Sequence, residues 1–236
     1  MPDYAAARRE FTWDAERARL TAGTDKPLNI ARICLDRQVA AGRGSRLAVR
    51  YIDRAGVRHD FDYAALLARV NRCANVLRAA GVGRGEAVFG LLGRGPALHV
   101  AALGAMKAGA VFCPLFSAFG PEPLATRMQI GNAVALVTTA TLYRRKVAAL
   151  RPQLPGLRLV FVLRDGTEEL PLGTLDFDAA LAAAQAQFDA ATVGDEDIAL
   201  MHFTSGTTGK PKGVLLAHEA VVAHHATARL ALDLHP

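Results

Sequence analysis

The chain has little of several things that would otherwise direct a reading of function. It has three cysteines in 236 residues, and Cys34, Cys73 and Cys113 lie far apart with no C-x-x-C pair. A disulfide framework or a zinc knuckle needs more thiols at closer spacing, so these read as buried thiols of a reducing cytoplasm. Aromatics make up 6% of the residues, with one tryptophan. The 28 basic residues outnumber the 22 acidic ones, but they form no basic block and do not alternate with aromatics. The surplus is therefore read as solvated surface, and a nucleic-acid partner is not implied. The residues after Met1 have no apolar core of a secretory leader. The most apolar stretch, residues 97–116, carries His99 and Lys107 and is broken by Gly104 and Gly109, so it reads as a buried helix and strand, not a membrane span.

What is present is a pattern. With 51% hydrophobic residues the chain can bury a core as one large or two smaller domains. Leu47, Val49 and Tyr51 alternate with polar residues, turn through Asp53-Arg54-Ala55-Gly56 and return through Val57, His59 and Phe61, which predicts a hairpin. Asp62 can cap the helix that follows, Phe61 can staple onto Leu66, and Leu66, Leu67, Val70, Cys73, Ala74 and Leu77 form one apolar stripe. Strands at 87–92, 110–113, 134–138 and 159–163 then alternate with helices from Pro96 to Gly109, near 121–130 and near 142–150. The fold class expected is α/β, a mostly parallel sheet flanked by helices. A polar connector at 165–174 is the plausible internal boundary. A helix over Ala179 to Phe188 leads to the acidic turn Gly194-Asp195-Glu196-Asp197.

Next comes the most informative segment. Between the apolar run Ile198 to Phe203 and the run Val214-Leu215-Leu216 stands Thr204-Ser205-Gly206-Thr207-Thr208-Gly209-Lys210-Pro211-Lys212-Gly213. Glycines allow positive φ and close approach of backbone N–H groups to an anion, hydroxyls add donors, and lysines add charge, so this is a loop for phosphate oxygens. It is not the common P-loop, which needs four residues between its glycines and a hydroxyl after its lysine. Other features carry less. His218-Glu219 would need a histidine at position 222 to make H-E-x-x-H, and Val222 stands there; His218 and His225 share a helical face but lack a third ligand. The clusters Gly81-Val82-Gly83-Arg84-Gly85 and Gly93-Arg94-Gly95 miss the third glycine of G-x-G-x-x-G and read as turns. Arg144-Arg145-Lys146 reads first as a solvated helix face.

The decapeptide resembles the signature T-S-G-T-T-G-x-P-K-G of the adenylate-forming acyl-CoA synthetases. Met106 to Leu115 is similar to that family's K-A-G-x-x-x-x-P-L core, and Phe61 to Leu66 to its early Tyr-x-x-Leu motif. Residues 112–123 and 218–220 look most like the acetyl-CoA synthetase branch. The resemblance implies an ATP-dependent ligase that joins a short carboxylate, acetate first, to AMP and then to CoA, releasing pyrophosphate and AMP. It implies a phosphate grip from Thr204, Ser205, Gly206, Thr207, Thr208, Gly209 and Lys212, with Lys212 catalytic, Lys210 at the variable position, and ATP, Mg²⁺ and CoA as the small molecules handled. The triplet 144–146 is then also a place for a CoA phosphate. Family members continue through adenine and ribose contacts, a Mg²⁺ ligand and a small domain with a late lysine. The division expected is therefore an N-terminal segment 1–45 and a partial adenylation domain 46–236, whose partner is the missing C-terminal part. Alone, the 236 residues are expected to be inactive. Two other readings stay open: an adenylate-forming enzyme for another acyl or aryl acid, and a truncated, non-catalytic nucleotide-binding remnant.

Overall fold

The computed structural model describes residues 4–21, 28–166, 169–194, 196–204 and 209–234. Helices α1 (Tyr4–Glu10) and α2 (Trp13–Thr21) precede two wide helical turns, Arg32–Asp36 and Val39–Arg43. The predicted hairpin follows as β1 (Leu47–Ile52) and β2 (Arg58–Asp62), antiparallel and apart from the main sheet. The alternating body then runs α3 (Tyr63–Ala79), β3 (Ala87–Leu91), α4 (Pro96–Lys107), β4 (Val111–Leu115), α5 (Pro121–Ile130), β5 (Ala133–Thr139) and the short α6 (Ala140–Leu142). After β6 (Leu159–Leu163) come β7 (Leu175–Asp176), α7 (Phe177–Ala183), β8 (Ile198–Thr204), β9 (Lys212–Ala217) and α8 (Ala220–Leu230).

The seven-stranded sheet has the order β7-β6-β5-β3-β4-β8-β9. Every neighbouring pair is parallel except β8 with β9. The connector after residue 164 joins two paired strands of this sheet, β6 and β7, so it is not a boundary between bodies. Strand residues alternate between two cores, as the period of two requires. Val88, Phe112, Val137 and Phe161 face the layer holding Val70, Leu77 and Val100, from α3 and α4. Phe89, Leu91, Cys113, Leu136, Val160 and Val162 face the layer holding Leu124 and Met128, from α5.

Local chemistry explains the elements. Asp62 accepts from the Ala65 N–H at 2.7 Å and caps α3. Both α4 and α5 open with a proline directly after an extended glycine, where the missing N–H costs nothing. A Cβ on Gly104 of α4 would stand 2.6 Å from the Cys73 sulfur of α3, so glycine is what lets these two helices cross closely. The stripe residues Leu66, Val70, Cys73, Ala74 and Leu77 are buried as predicted, and Leu67 is half-buried.

Three expectations are corrected. The helix foreseen over 179–188 is α7, which ends at Ala183. Side chains of α3 take the carbonyls at and beyond this end: Arg72 bonds the oxygens of Leu181 and Ala182 in the last turn and of Ala184 after it, Asn75 those of Gln185 and Gln187, and Asn71 that of Ala186. The basic helix near 142–150 is broken into a wide turn at Tyr143–Val147 and a tight one at Ala148–Gln153, which contains Pro152. Cys34 is exposed, whereas Cys73 and Cys113 are buried, and all three are free thiols.

Candidate functional site

The phosphate-type loop sits at the tip of hairpin β8–β9. Its last rungs pair Phe203 with Gly213 and Thr204 with Lys212, so the two ends of the decapeptide face each other across the ribbon. Ser205, Gly206, Thr207 and Thr208 lie outside the described residues. At the loop's exit Gly209 has φ +81°, a left-handed conformation in which a side chain is strained. Thr204, Gly209, Lys210 and Lys212 are exposed, and among the described residues neither lysine has a carboxylate partner. β8 runs parallel to β4, so Thr204 emerges at the same sheet edge as the carboxyl ends of β3, β4, β5 and β6. The chain steps from β3 to β4 on one side and then back past β3 to β5. Open α/β sheets bind their ligands outside the carboxyl ends of the strands, at such a reversal.

Arg127, which sequence reasoning did not single out, and two members of the basic triplet brace this edge. The Arg127 guanidinium lies 4.3 Å from the centre of the Phe119 ring and 5.9 Å from that of Phe203, joining the segment before α5 to the strand that carries the loop. Lys146 donates to the carbonyls of Ser117 and Phe119 at 2.6 and 2.8 Å, so one member of the basic triplet holds the β4–α5 connection instead of facing solvent. Its neighbour Arg144 bonds the Glu169 carbonyl. At the edge itself the Thr138 hydroxyl donates to the Leu91 carbonyl at 2.8 Å. Asp165 accepts from the Thr141 N–H at 3.1 Å, and bonds from Thr139 and Thr141 hold its carboxyl below the usual range against the opposing effect of burial.

The two histidines do not share the helical face expected of them. His218 lies in the turn before α8, not on it, and is fully buried. Its Nδ1 accepts from the Ile30 N–H at 3.1 Å, and burial pushes the imidazole down to about 4, against the opposing pull of Asp197. His225, on α8, stands 3.8 Å from the buried Glu16 of α2. The Asp197 carboxyl is held low, first by the Gly194 N–H at 2.5 Å and also by Arg84. Among the described residues no three His, Cys, Asp or Glu side chains stand together as metal ligands, and no helix is long and apolar enough to cross a membrane.

Known proteins share this fold. The chain is 33% identical over 99% of its length to an acetyl-coenzyme A synthetase of Bacillus subtilis and 31% identical over 90% to one of Streptomyces coelicolor. It spans 40% and 36% of those two proteins. Among solved structures it superposes on a Brucella canis acyl-CoA synthetase with a TM-score of 0.83 at 33% identity, covering 98% of this chain and 41% of that one. An anthranilate CoA ligase in complex with anthranoyl-AMP gives 0.75 at 25% identity, with 87% and 38% covered. The profile of one family, described as AMP-binding enzyme, matches residues 35–235, which include the signature hairpin and the sheet edge it crowns, and to that family the chain belongs.

Proposed function

We propose that the chain is the front part of an ATP-dependent ligase that activates a short carboxylate, acetate first, as an acyl-adenylate and passes the acyl group to CoA in the cytoplasm. In this reading residues 1–45 are an N-terminal segment, and residues 46–236 belong to an adenylation domain completed by sequence of the kind that forms the remaining three-fifths of its relatives. The observation that carries the reading is the complete signature, Thr204 to Gly213, closing a hairpin at the carboxyl edge of the sheet.

The chemistry follows from the donors. A carboxylate oxygen attacks the α-phosphorus of ATP, the bond to the β-phosphate bridging oxygen breaks, and pyrophosphate leaves; CoA thiol then attacks the acyl carbon and AMP departs. The hydroxyls of Thr204, Ser205, Thr207 and Thr208 and the loop N–H groups grip the β- and γ-phosphates. Lys212, exposed and without a carboxylate partner among the described residues, neutralises charge growing on pyrophosphate. The described residues offer no carboxylate cluster for Mg²⁺. A second reading, an aryl or longer acyl acid as substrate, is favoured by the likeness to the anthranilate ligase.

The test is acid-dependent ATP–pyrophosphate exchange by the protein that carries these residues, with acetate, longer acids and benzoates compared. Exchange with acetate that falls at least about thirtyfold in Lys212→Ala supports the first reading, and exchange with aryl acids alone supports the second. No exchange with any acid overturns both.

A further inference from the structure

The hairpin that carries the signature loop is lightly sewn into the sheet. β8 shares one register pair with β4, Phe112 with Leu200. β9 is the outermost strand, and its residues Lys212 to Leu215 are exposed. Beyond Leu200 the two strands pair, among the described residues, only with each other, although Met201 packs over Gly131, where a Cβ would stand 2.9 Å from its sulfur. A two-stranded ribbon is marginal by itself in water. From Ile198 to Thr204 it reaches about 20 Å at roughly 3.4 Å per residue, so a tilt of about 10° at the base moves the tip by 3 to 4 Å, more than a hydrogen bond tolerates.

The base is fixed by His218. Its backbone N–H donates to the Asp197 carbonyl at 2.9 Å, closing the ribbon, and Asp197 is itself tied to Gly194 and Arg84. The His218 ring reaches the other way, to the N–H of Ile30. Ile30 opens a helical turn whose next N–H groups, those of Ala31 and Arg32, bond the Asn29 side-chain oxygen at 3.1 and 3.4 Å. The Asn29 amide in turn donates to the Met106 carbonyl at 3.0 Å. The ring is therefore the link between the ribbon and a turn anchored on the end of α4. With Nδ1 accepting, the proton resides on Nε2, which is buried and has no hydrogen-bond partner among the described residues; among them, Nδ1 is the ring's one polar tie.

We propose that His218 is the positioning residue of the signature loop, pinning the base of hairpin β8–β9 to the turn at Ile30 and so setting where Thr204 and Lys212 stand at the sheet edge. The role in catalysis rests on the nucleotide reading of that loop, whereas the pin does not. Three variants test it by hydrogen–deuterium exchange. His218→Ala removes the acceptor. Ile30→Pro removes the donor, at a first helical position where proline is tolerated. His218→Asn offers a side-chain oxygen in place of Nδ1. Amides of residues 198–204 and 212–217 exchange at least tenfold faster in the first two variants, with those of β3, β5 and β6 unchanged, and return to within about threefold of the parent in His218→Asn. Faster exchange across the whole sheet, or none at the hairpin, overturns the pin. Pyrophosphate exchange by the same variants separates the two readings. A loosened hairpin with undiminished exchange refutes the positioning role, whereas a parent protein without exchange refutes the nucleotide reading and leaves the pin to the amide data.

Discussion

Lys107 is a fully buried cation of the core, and removing its partner should cost more than removing the lysine itself. Its side chain is fully buried, with Nζ 2.7 and 2.8 Å from the Asp36 oxygens and 2.5 Å from the Asn71 amide oxygen. The pair is lopsided, because the Asp36 side chain keeps 32% of its exposure. Asp36→Asn preserves the shape and leaves an ammonium with little compensation inside the core. Breaking a buried pair from one side costs roughly 3–5 kcal/mol, and partial exposure of Asp36 places this case near the lower end, about 3 kcal/mol. Lys107→Met removes the buried charge altogether and returns Asp36 to water. Its main loss is the bond to Asn71, offset by relief of desolvation, for a net cost of about 1 kcal/mol or less. The double variant should resemble Lys107→Met alone. Burial lowers the lysine's affinity for its proton and Asp36 opposes this. With a folded pKa below the unfolded one, stability rises as pH climbs through the interval between them. Asp36→Asn widens that interval downward, so this variant alone should recover part of its deficit between pH 7 and 9. Urea unfolding of the four proteins at both pH values is the assay. Lys107→Met as costly as Asp36→Asn, or additivity in the double variant, would refute the reasoning.

Other outcomes follow from the site and the packing. Lys212→Ala should lower adenylation by a factor equivalent to about 2–4 kcal/mol and spare thioester formation from preformed acyl-adenylate; equal losses in pyrophosphate exchange and in thiolysis reject the role given to it. Burial holds His218 at about 4 against an ordinary 6.5. The stability this represents is present above pH 6.5 and disappears as pH falls through 4, about 3 kcal/mol in full; an unaltered acid slope in the urea midpoint of His218→Asn contradicts it. Gly104→Val should destabilise by several kcal/mol or prevent folding, since its first carbon already meets Cys73, and thermal melting within a few degrees of the parent tells against the close crossing. On β9, Val214 and Leu215 are 44% and 55% exposed, and an exposed edge of that kind promotes association; residues 1–236 alone are expected to self-associate and to make no acyl-CoA, and a monodisperse, active preparation overturns both statements.

Much of the fold is legible in the sequence because period and punctuation agree. The run 159–163 and the helix 121–130 match β6 and α5, since each is bounded by residues that start or stop its element. The helix over 179–188 fails for a non-local reason: the alanines favour helix, but Arg72, Asn71 and Asn75, more than a hundred positions away, claim the carbonyls. The same holds for the site. Thr204 and Lys212 can be named from the decapeptide alone, whereas Arg127, Lys146 and His218 act through contacts with distant segments. Asn29 is the hardest to foresee, a polar residue that looks like a loop residue until its side-chain partners Ala31, Arg32, Met106, Lys107 and Ala191 are known.

The ties of the N-terminal segment also bear on how the protein is made. Asn29 reaches a carbonyl 162 positions later and Ile30 a histidine 188 positions later. At synthesis rates of roughly 5–20 residues per second, the turn at Ile30 waits about 10–40 seconds for the partner that closes it. Meanwhile Leu28 and Leu35, only 1% and 2% exposed when folded, have no finished core to enter. A segment made long before its partners is thus among the last to settle, and that interval leaves its apolar side chains open to a nascent-chain chaperone.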